Sequence, residues 1–285
     1  MEHARPIWLI DNSSSGSNDD DTLRLLEETC GKCGFHVAHR THFPRYELPS
    51  PAMLDAAGVG TVAVFGGDGT INAAIARLAG WTGAVLVLPG GTMNLLYHRL
   101  HGDRDMDDVV SAAAAGKAER VRPAILSGAD KNTLAGLMAG PGTSWNHVRE
   151  AMRDTSILQM AEHAIQAIEK TLGGAMIACK EPPMGRPEGY PLILLNPHEG
   201  GIEVIAYHAE TAKDYLDQSF ALLKRDFREG PHEELGRSDR VVLASTDGAP
   251  FGLLVDGEPA QGEGGEMTFT LATCEVDLLA TQFNG

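Results

Sequence analysis

The stretch Val62-Ala63-Val64-Phe65-Gly66-Gly67-Asp68-Gly69-Thr70, with the helical pattern Ile71–Ala79 behind it, decides the fold. An unbroken apolar run ending in glycines reads as a buried strand entering a tight turn, then a helix. Ligands of open α/β sheets bind at that carboxyl edge. Lacking Cβ atoms, Gly66, Gly67 and Gly69 let backbone N–H groups approach phosphate oxygens, and a helix starting near Thr70 adds its positive end. Asp68 cannot neutralise phosphate. A carboxylate in this loop makes chemical sense if it holds Mg²⁺ or a water in the metal's shell. The competing reading is a Gly-Asp-Gly tight turn with Asp68 as turn-former.

One strand later, Leu88-Pro89-Gly90-Gly91-Thr92-Met93-Asn94 repeats the arrangement at the end of the apolar run Ala84–Leu88. Two such turns on neighbouring strands would face one ligand. Neither is a lysine-bearing P-loop, and the first strand–helix turn lacks G-x-G-x-x-G, so ordinary NTPase and dehydrogenase readings lose ground. Working outward, Ile7–Ile10 predicts a first strand and Asn12–Asp21 a polar loop. A helix carrying Leu25, Leu26, Thr29 and Cys33 follows, then a second strand at Phe35–Arg40, a short helix at Pro49–Ala57 and a third strand at Thr61–Phe65. Alternating strands and helices predict βαβ units and a parallel sheet.

After Arg122-Pro123 the texture changes. One long helix candidate, Ser144–Leu172, lies among strand-like segments at Ala175–Cys179, Leu192–Leu195, Ile202–Tyr207, Val241–Ser245, Gly252–Val255 and Met267–Leu271. The chain is therefore expected to hold a Rossmann-like α/β domain over 1–122 and a β-rich, sandwich-like domain over 123–285. The last strand or tail could return to the first domain. The active site is expected in the cleft between the two.

Composition narrows the partners. Lys and Arg number 23 against 39 Asp and Glu, a net charge of −16, so nucleic acid is not expected. No apolar run approaches the ~20 residues of a membrane span, and no segment reads as a signal peptide, so a cytoplasmic protein without a transmembrane anchor is expected. The four cysteines suit reduced thiols. His36, His39 and His42 read as surface or core histidines.

Gly66-Gly67-Asp68-Gly69-Thr70 resembles the signature shared by 6-phosphofructokinases, NAD kinases and the diacylglycerol and sphingosine lipid kinases. Pro89-x-Gly91-Thr92-x-Asn94 is similar to the second motif of the lipid kinases, and Asn12-Ser13-Ser14-Ser15-Gly16 looks like their nucleotide loop with Ser13 in place of proline. Thr41 matches a threonine that the family uses against the nucleotide. Val255-Asp256-Gly257-Glu258 resembles the segment in which bacterial diacylglycerol kinase-like enzymes carry their proton acceptor, although D-G between strands is also a hairpin signal.

The resemblance implies a Mg²⁺-dependent transfer of the ATP γ-phosphoryl group to a lipid alcohol. Asn12, Ser15, Gly16, Thr41, Gly66, Gly67, Asp68, Gly69, Thr70, Gly91, Thr92 and Asn94 would bind the nucleotide. Asp68 would serve the metal and the chemistry. Asp256 would act as base, with Glu258 orienting it or aiding the metal. Glu199, in Asn196–Ile202, stands where related enzymes bind a structural Mg²⁺ through aspartate. The lipid would be met by transient peripheral contact with a membrane, and a homodimer is compatible with the sequence. The family usually has Glu where this chain has Ala73, and Asp where it has Leu95. A non-catalytic nucleotide- or lipid-binding member and an NAD kinase-like enzyme are the alternatives.

Overall fold

The computed structural model describes residues 4–12, 20–91, 93–128, 131–140, 176–207, 232–262 and 264–283. The helix expected over Ser144–Leu172 lies outside them, as do Ser15, Gly16 and Thr92. The chain divides into two compact units, Met1–Ala124 with Thr273–Gly285, and Ile125–Ala272.

The first unit follows the order β1 (Arg5–Asp11), α1 (Asp20–Cys33), β2 (Phe35–His42), α2 (Pro51–Ala56), β3 (Thr61–Gly66), α3 (Asp68–Arg77), β4 (Ala84–Pro89), α4 (Leu95–His101), α5 (Met106–Ala114) and β5 (Glu119–Val121). A last strand, β17 (Asp277–Ala280), completes a sheet ordered β2-β1-β3-β4-β17-β5. The pairs from β2 to β17 are parallel, and β5 runs antiparallel to β17. β3 and β4 are buried along nearly their whole length, which is why they read as continuous apolar runs instead of alternating ones.

Helix α2 begins at Pro51 because Ser50 caps it, accepting from the Met53 N–H at 3.3 Å, and it buries Leu54. Helix α1 forms where its pattern predicts one, but its buried stripe is Leu23, Leu26 and Cys30, while Leu25 is 52% exposed. Residues 23, 26 and 30 follow the three-to-four spacing of one helical face, and Leu25 falls outside it. Thr29 is buried and bonds Asp107 of α5 at 3.3 Å.

Two arginines of the β5 region, Arg122 and Arg120, reach Asp277 of β17 at 2.6 and 3.2 Å. The Arg122 hydrogen bond, opposed by partial burial and aided by Arg120, holds the Asp277 carboxyl below the usual carboxylate range. A depressed carboxylate contributes stability above its unfolded value of about 3.9, and loses it as pH falls through the lower folded value. Acid should therefore loosen β17 in the wild type, and Asp277→Asn should be less stable near neutrality but flatter in acid. Hydrogen exchange of the β17 amides against pH measures this. Identical pH dependence in the two proteins would refute it.

The second unit holds β6 (Ala124–Gly128), β7 (Lys131–Thr133), β8 (Leu137–Gly140), β9 (Ile177–Glu181), β10 (Leu192–His198), β11 (Gly201–Tyr207), β12 (His232–Ser238), β13 (Arg240–Ser245), β14 (Gly252–Val255), β15 (Glu258–Gln261) and β16 (Glu266–Thr273). They form two sheets, β12-β11-β10-β8-β14-β15 and β7-β6-β16-β13-β9. Cys179, Leu243 and Phe269 from one sheet share a core with Leu137, Ile193, Val204 and Leu253 from the other, a sandwich arrangement. Alternation of buried and half-exposed residues, as in β11, made these strands legible.

Candidate functional site

The carboxyl edge of β1, β3 and β4 brings Asn12, Gly66, Gly67, Asp68, Thr70, Gly91 and Asn94 together. Asn12, just after β1, donates from Nδ2 to Thr70 Oγ1 at 2.8 Å, tying the first loop to the turn after β3. Gly67 caps α3 with its backbone extended and no side-chain cap, and the helix begins at Asp68, three residues before the apolar pattern starts. Helix amides at such an N-terminus favour anions. The Gly90 N–H donates to Gly66 O at 3.2 Å, linking the two turns. Asn94 closes the second turn on itself: its Oδ1 accepts from Gly91 N at 2.8 Å, and its Nδ2 donates to Gly91 O at 3.0 Å. It does so from a left-handed backbone, φ 50°, which asparagine tolerates. Asp68, 9% exposed, accepts from the Leu96 N–H of α4 at 3.3 Å.

Glycine is required here for different reasons at two positions. A Cβ on Gly91 would come within 2.6 Å of Gly67 Cα, whereas a Cβ on Gly67 would meet nothing nearer than Gly91 Cα at 3.7 Å. Gly67 has φ −75°, so positive φ plays no part at this position. Gly91→Ala should therefore cost about 1–3 kcal/mol of stability, because backbone must shift. A Cβ at Gly67 meets only Gly91 Cα, at ordinary contact distance, so Gly67→Val should cost less stability than Gly91→Ala, and if the turn receives a nucleotide's phosphate the added bulk should weaken ATP binding. Denaturant unfolding and calorimetric titration with ATP separate the two. Equal destabilisation, or unchanged affinity in Gly67→Val, would show that the turns only pack against each other.

Other expected residues stand differently. Thr41 is 6% exposed, and its hydroxyl accepts from Trp8 Nε1 at 2.9 Å, so it is engaged by the core. Asp256 and Gly257 have φ 48° and 82° and connect β14 to β15 as a two-residue hairpin turn, Val255 pairing with Glu258. The turn separates the two acids. Asp256 is 4% exposed and accepts from the N–H groups of Leu134, Ala135 and Gly136 at 2.7 to 3.2 Å, while Glu258 is exposed. A proton taken at Asp256 would disturb the bonds that hold the loop before β8.

Glu199 lies exposed on the turn between β10 and β11. Beside it, burial opposes ionisation of Glu203, but hydrogen bonds from Arg237 at 2.8 Å and Asn196 at 3.4 Å hold that carboxyl below the usual range. His198 adds a contact at 3.3 Å. Arg237 thus serves Glu203, the carboxylate four residues beyond Glu199 in this hairpin. Asp68 fits a metal: it is an acceptor-only group beside a glycine turn. Among the described residues no three His, Cys, Asp or Glu side chains group to hold a metal, so Mg²⁺ at Asp68 would draw on phosphate oxygens and water.

Sequence reasoning missed Asp11. It is fully buried at the end of β1, with Arg40 and His42 as partners, and its only sequence signal was a charged residue ending an apolar run.

Fold and edge define an α/β domain with paired glycine turns at the carboxyl side of a parallel sheet. Residues 6–124 match the model of the diacylglycerol kinase catalytic domain. No curated protein matches the chain. Among solved structures, a diacylglycerol kinase from Bacillus anthracis str. Sterne shares 12% identity at a TM-score of 0.58, with 98% of each chain covered. Two further structures from that organism, carrying the assignment provisionally, share 13% and 14% identity, each at a TM-score of 0.59; the first covers 98% of both chains, and the second 100% of this chain and 98% of its own. At these identities the likeness is one of fold.

Proposed function

We propose that the protein is an ATP-dependent kinase that passes the γ-phosphoryl group to the hydroxyl of a lipid alcohol, of diacylglycerol or sphingoid type. The observation that carries this reading is the packing of Gly67 against Gly91, which joins two glycine turns around the start of α3 with Asp68 as its first residue. The family model matched over residues 6–124 supports the kinase class. Backbone amides of Gly66–Thr70 would receive phosphate oxygens, and Asp68 would hold Mg²⁺, which when bound neutralises phosphate charge. Asn12 and Asn94 keep the two turns in shape.

The acid pair divides by exposure. Glu258 takes the proton of the acceptor hydroxyl, and Asp256 fixes the loop at Leu134–Gly136. This exchanges the roles that the sequence resemblance implied. No helix among the described residues is long and apolar enough to cross a membrane. On this proposal the lipid is met by peripheral contact. With a net charge of −16, that contact would rest on apolar groups more than on anionic lipid.

The test is incubation of the full chain with γ-labelled ATP and Mg²⁺ against diacylglycerol, sphingosine, a total lipid extract and NAD. Labelled lipid supports the proposal, and labelled NAD alone would replace it with the soluble-kinase reading. ATP binding without transfer to any acceptor would mark a non-catalytic member, for which Ala73 and Leu95 would be the reason.

A further inference from the structure

After β17 the chain crosses the last turn of helix α4. The N–H groups of Thr281 and Gln282 both donate to the Leu100 carbonyl at 3.1 Å, one of the helix-end carbonyls that no donor of the helix itself reaches. Thr281 Oγ1 lies 3.0 Å from His101 Nδ1, and the Arg99 guanidinium stands 5.8 Å from the centre of the Phe283 ring. Thr281–Phe283 is thus a strap over α4. Its pin is His101, which is fully buried and whose Nε2 makes no hydrogen bond, leaving Thr281 Oγ1 as the partner of its other nitrogen. Burial pushes this imidazole down to about 4, with Arg104 adding to the fall, and the Val87 backbone of β4 opposes it without closing a hydrogen bond to Nε2. The ring is neutral near pH 7, so the pin is a neutral hydrogen bond.

Helix α4 needs such a hold. It has seven residues, too few for a helix to persist by its own backbone bonds. Its N-cap, Asn94, gives the helix no side-chain bond, because that side chain is turned back on Gly91. The helix is therefore fixed by packing and by what grips its two ends. At one end the strap holds Leu100 and His101, and at the other the Leu96 N–H donates to Asp68 Oδ1 at 3.3 Å. Leu96 and Leu100 are four residues apart, about 6 Å along the axis and one turn of a rigid rod. A shift at the strap is felt at Asp68.

We infer that the Thr281–Phe283 strap positions Asp68 for a divalent cation through α4, with the hydrogen bond between Thr281 and His101 as its pin. Thr281 and His101 are positioning residues: both act through the Leu96 N–H, which orders the Asp68 carboxylate before the cation arrives. This rests on the metal reading of Asp68, with nucleotide phosphate as the cation's other ligand.

The experiment compares the full chain with three variants: Thr281→Val, which keeps the shape and removes the hydroxyl; Thr281→Ser, which keeps the hydroxyl; and Ser50→Ala, which lowers stability by removing the cap of α2. Two quantities are read. One is hydrogen exchange of the Leu96 amide by NMR, and the other is binding of Mn²⁺, the probe cation, in the presence of ATP by electron paramagnetic resonance. Loss of one neutral hydrogen bond corresponds to about three- to tenfold in an equilibrium, so Thr281→Val should speed Leu96 exchange by that factor. Ordering a loosened carboxylate on binding should weaken Mn²⁺ by about two- to tenfold. Thr281→Ser should return both quantities toward wild type, and Ser50→Ala should move neither. Leu96 exchange that Thr281→Val leaves unchanged, or that Ser50→Ala raises as much, overturns the inference. Faster Leu96 exchange with unchanged Mn²⁺ affinity also overturns it, and spares the metal reading of Asp68. Absence of Mn²⁺ binding with ATP in the wild type overturns both.

Discussion

Asp68→Asn should leave the protein folded and lower Mg²⁺-dependent phosphoryl transfer at least about a thousandfold. Asparagine keeps an oxygen for the Leu96 N–H at 3.3 Å, and it starts a helix as readily as aspartate, so α3 and α4 should stay in place. What is lost is the negative charge. Without it a divalent cation has no protein carboxylate at this turn, and charge neutralisation at transferring phosphate is worth several kcal/mol, each 1.36 kcal/mol being tenfold in rate. The decisive measurement pairs a thermal melt with turnover titrated against Mg²⁺. A melt unchanged within about 2 °C, together with lost turnover that added Mg²⁺ does not restore, is the expected pattern. Near-normal turnover would reduce Asp68 to a turn-former.

Asp256→Asn and Glu258→Gln should fail in different ways. The Asp256 carboxylate receives three backbone N–H groups from Leu134, Ala135 and Gly136, and hydrogen bonds to a charged group are worth about 1.5–3 kcal/mol each. An amide oxygen retains part of that, and asparagine accepts the left-handed backbone of position 256, so a loss of about 2–4 kcal/mol is expected. Glu258 is exposed, and its replacement by Gln should leave stability within about 0.5 kcal/mol. If Glu258 is the base, Glu258→Gln lowers kcat by about 10²–10⁴-fold with ATP affinity nearly intact. Urea unfolding and single-turnover kinetics on an accepted lipid give both axes. A stable Asp256→Asn protein with kcat lost by that factor would return the base to Asp256.

Much of the site was legible because its signals are short-range. A glycine run after an unbroken apolar strand, twice on neighbouring strands, needs only chain stiffness and hydrophobicity to be read, and the structure places Asn12, Gly66–Thr70, Gly91 and Asn94 around one edge. Hairpin turns were legible for the same reason, since Asp256-Gly257 carries the backbone preference that a two-residue turn needs. What packs beside a residue is not written locally: Trp8 donates to the Thr41 hydroxyl, and the buried stripe of α1 is Leu23, Leu26 and Cys30, which leaves Leu25 exposed.

Sequence by itself determined the alternation of strands and helices in the first half, the β-rich second half, the paired glycine turns and the family they resemble. Those features arise from residues within about ten positions of one another, where propensity, periodicity and turn chemistry act. Tertiary structure alone decided that Asp277 of β17 lies within reach of Arg122, 155 residues away, and that Asp256 holds a loop 120 to 122 residues earlier in the chain. It also decided that a buried Asp11 orients His42 from a neighbouring strand. In each case a carboxylate leaves water only where the fold brings donors to it, and which donors arrive depends on strand order and register across the whole sheet.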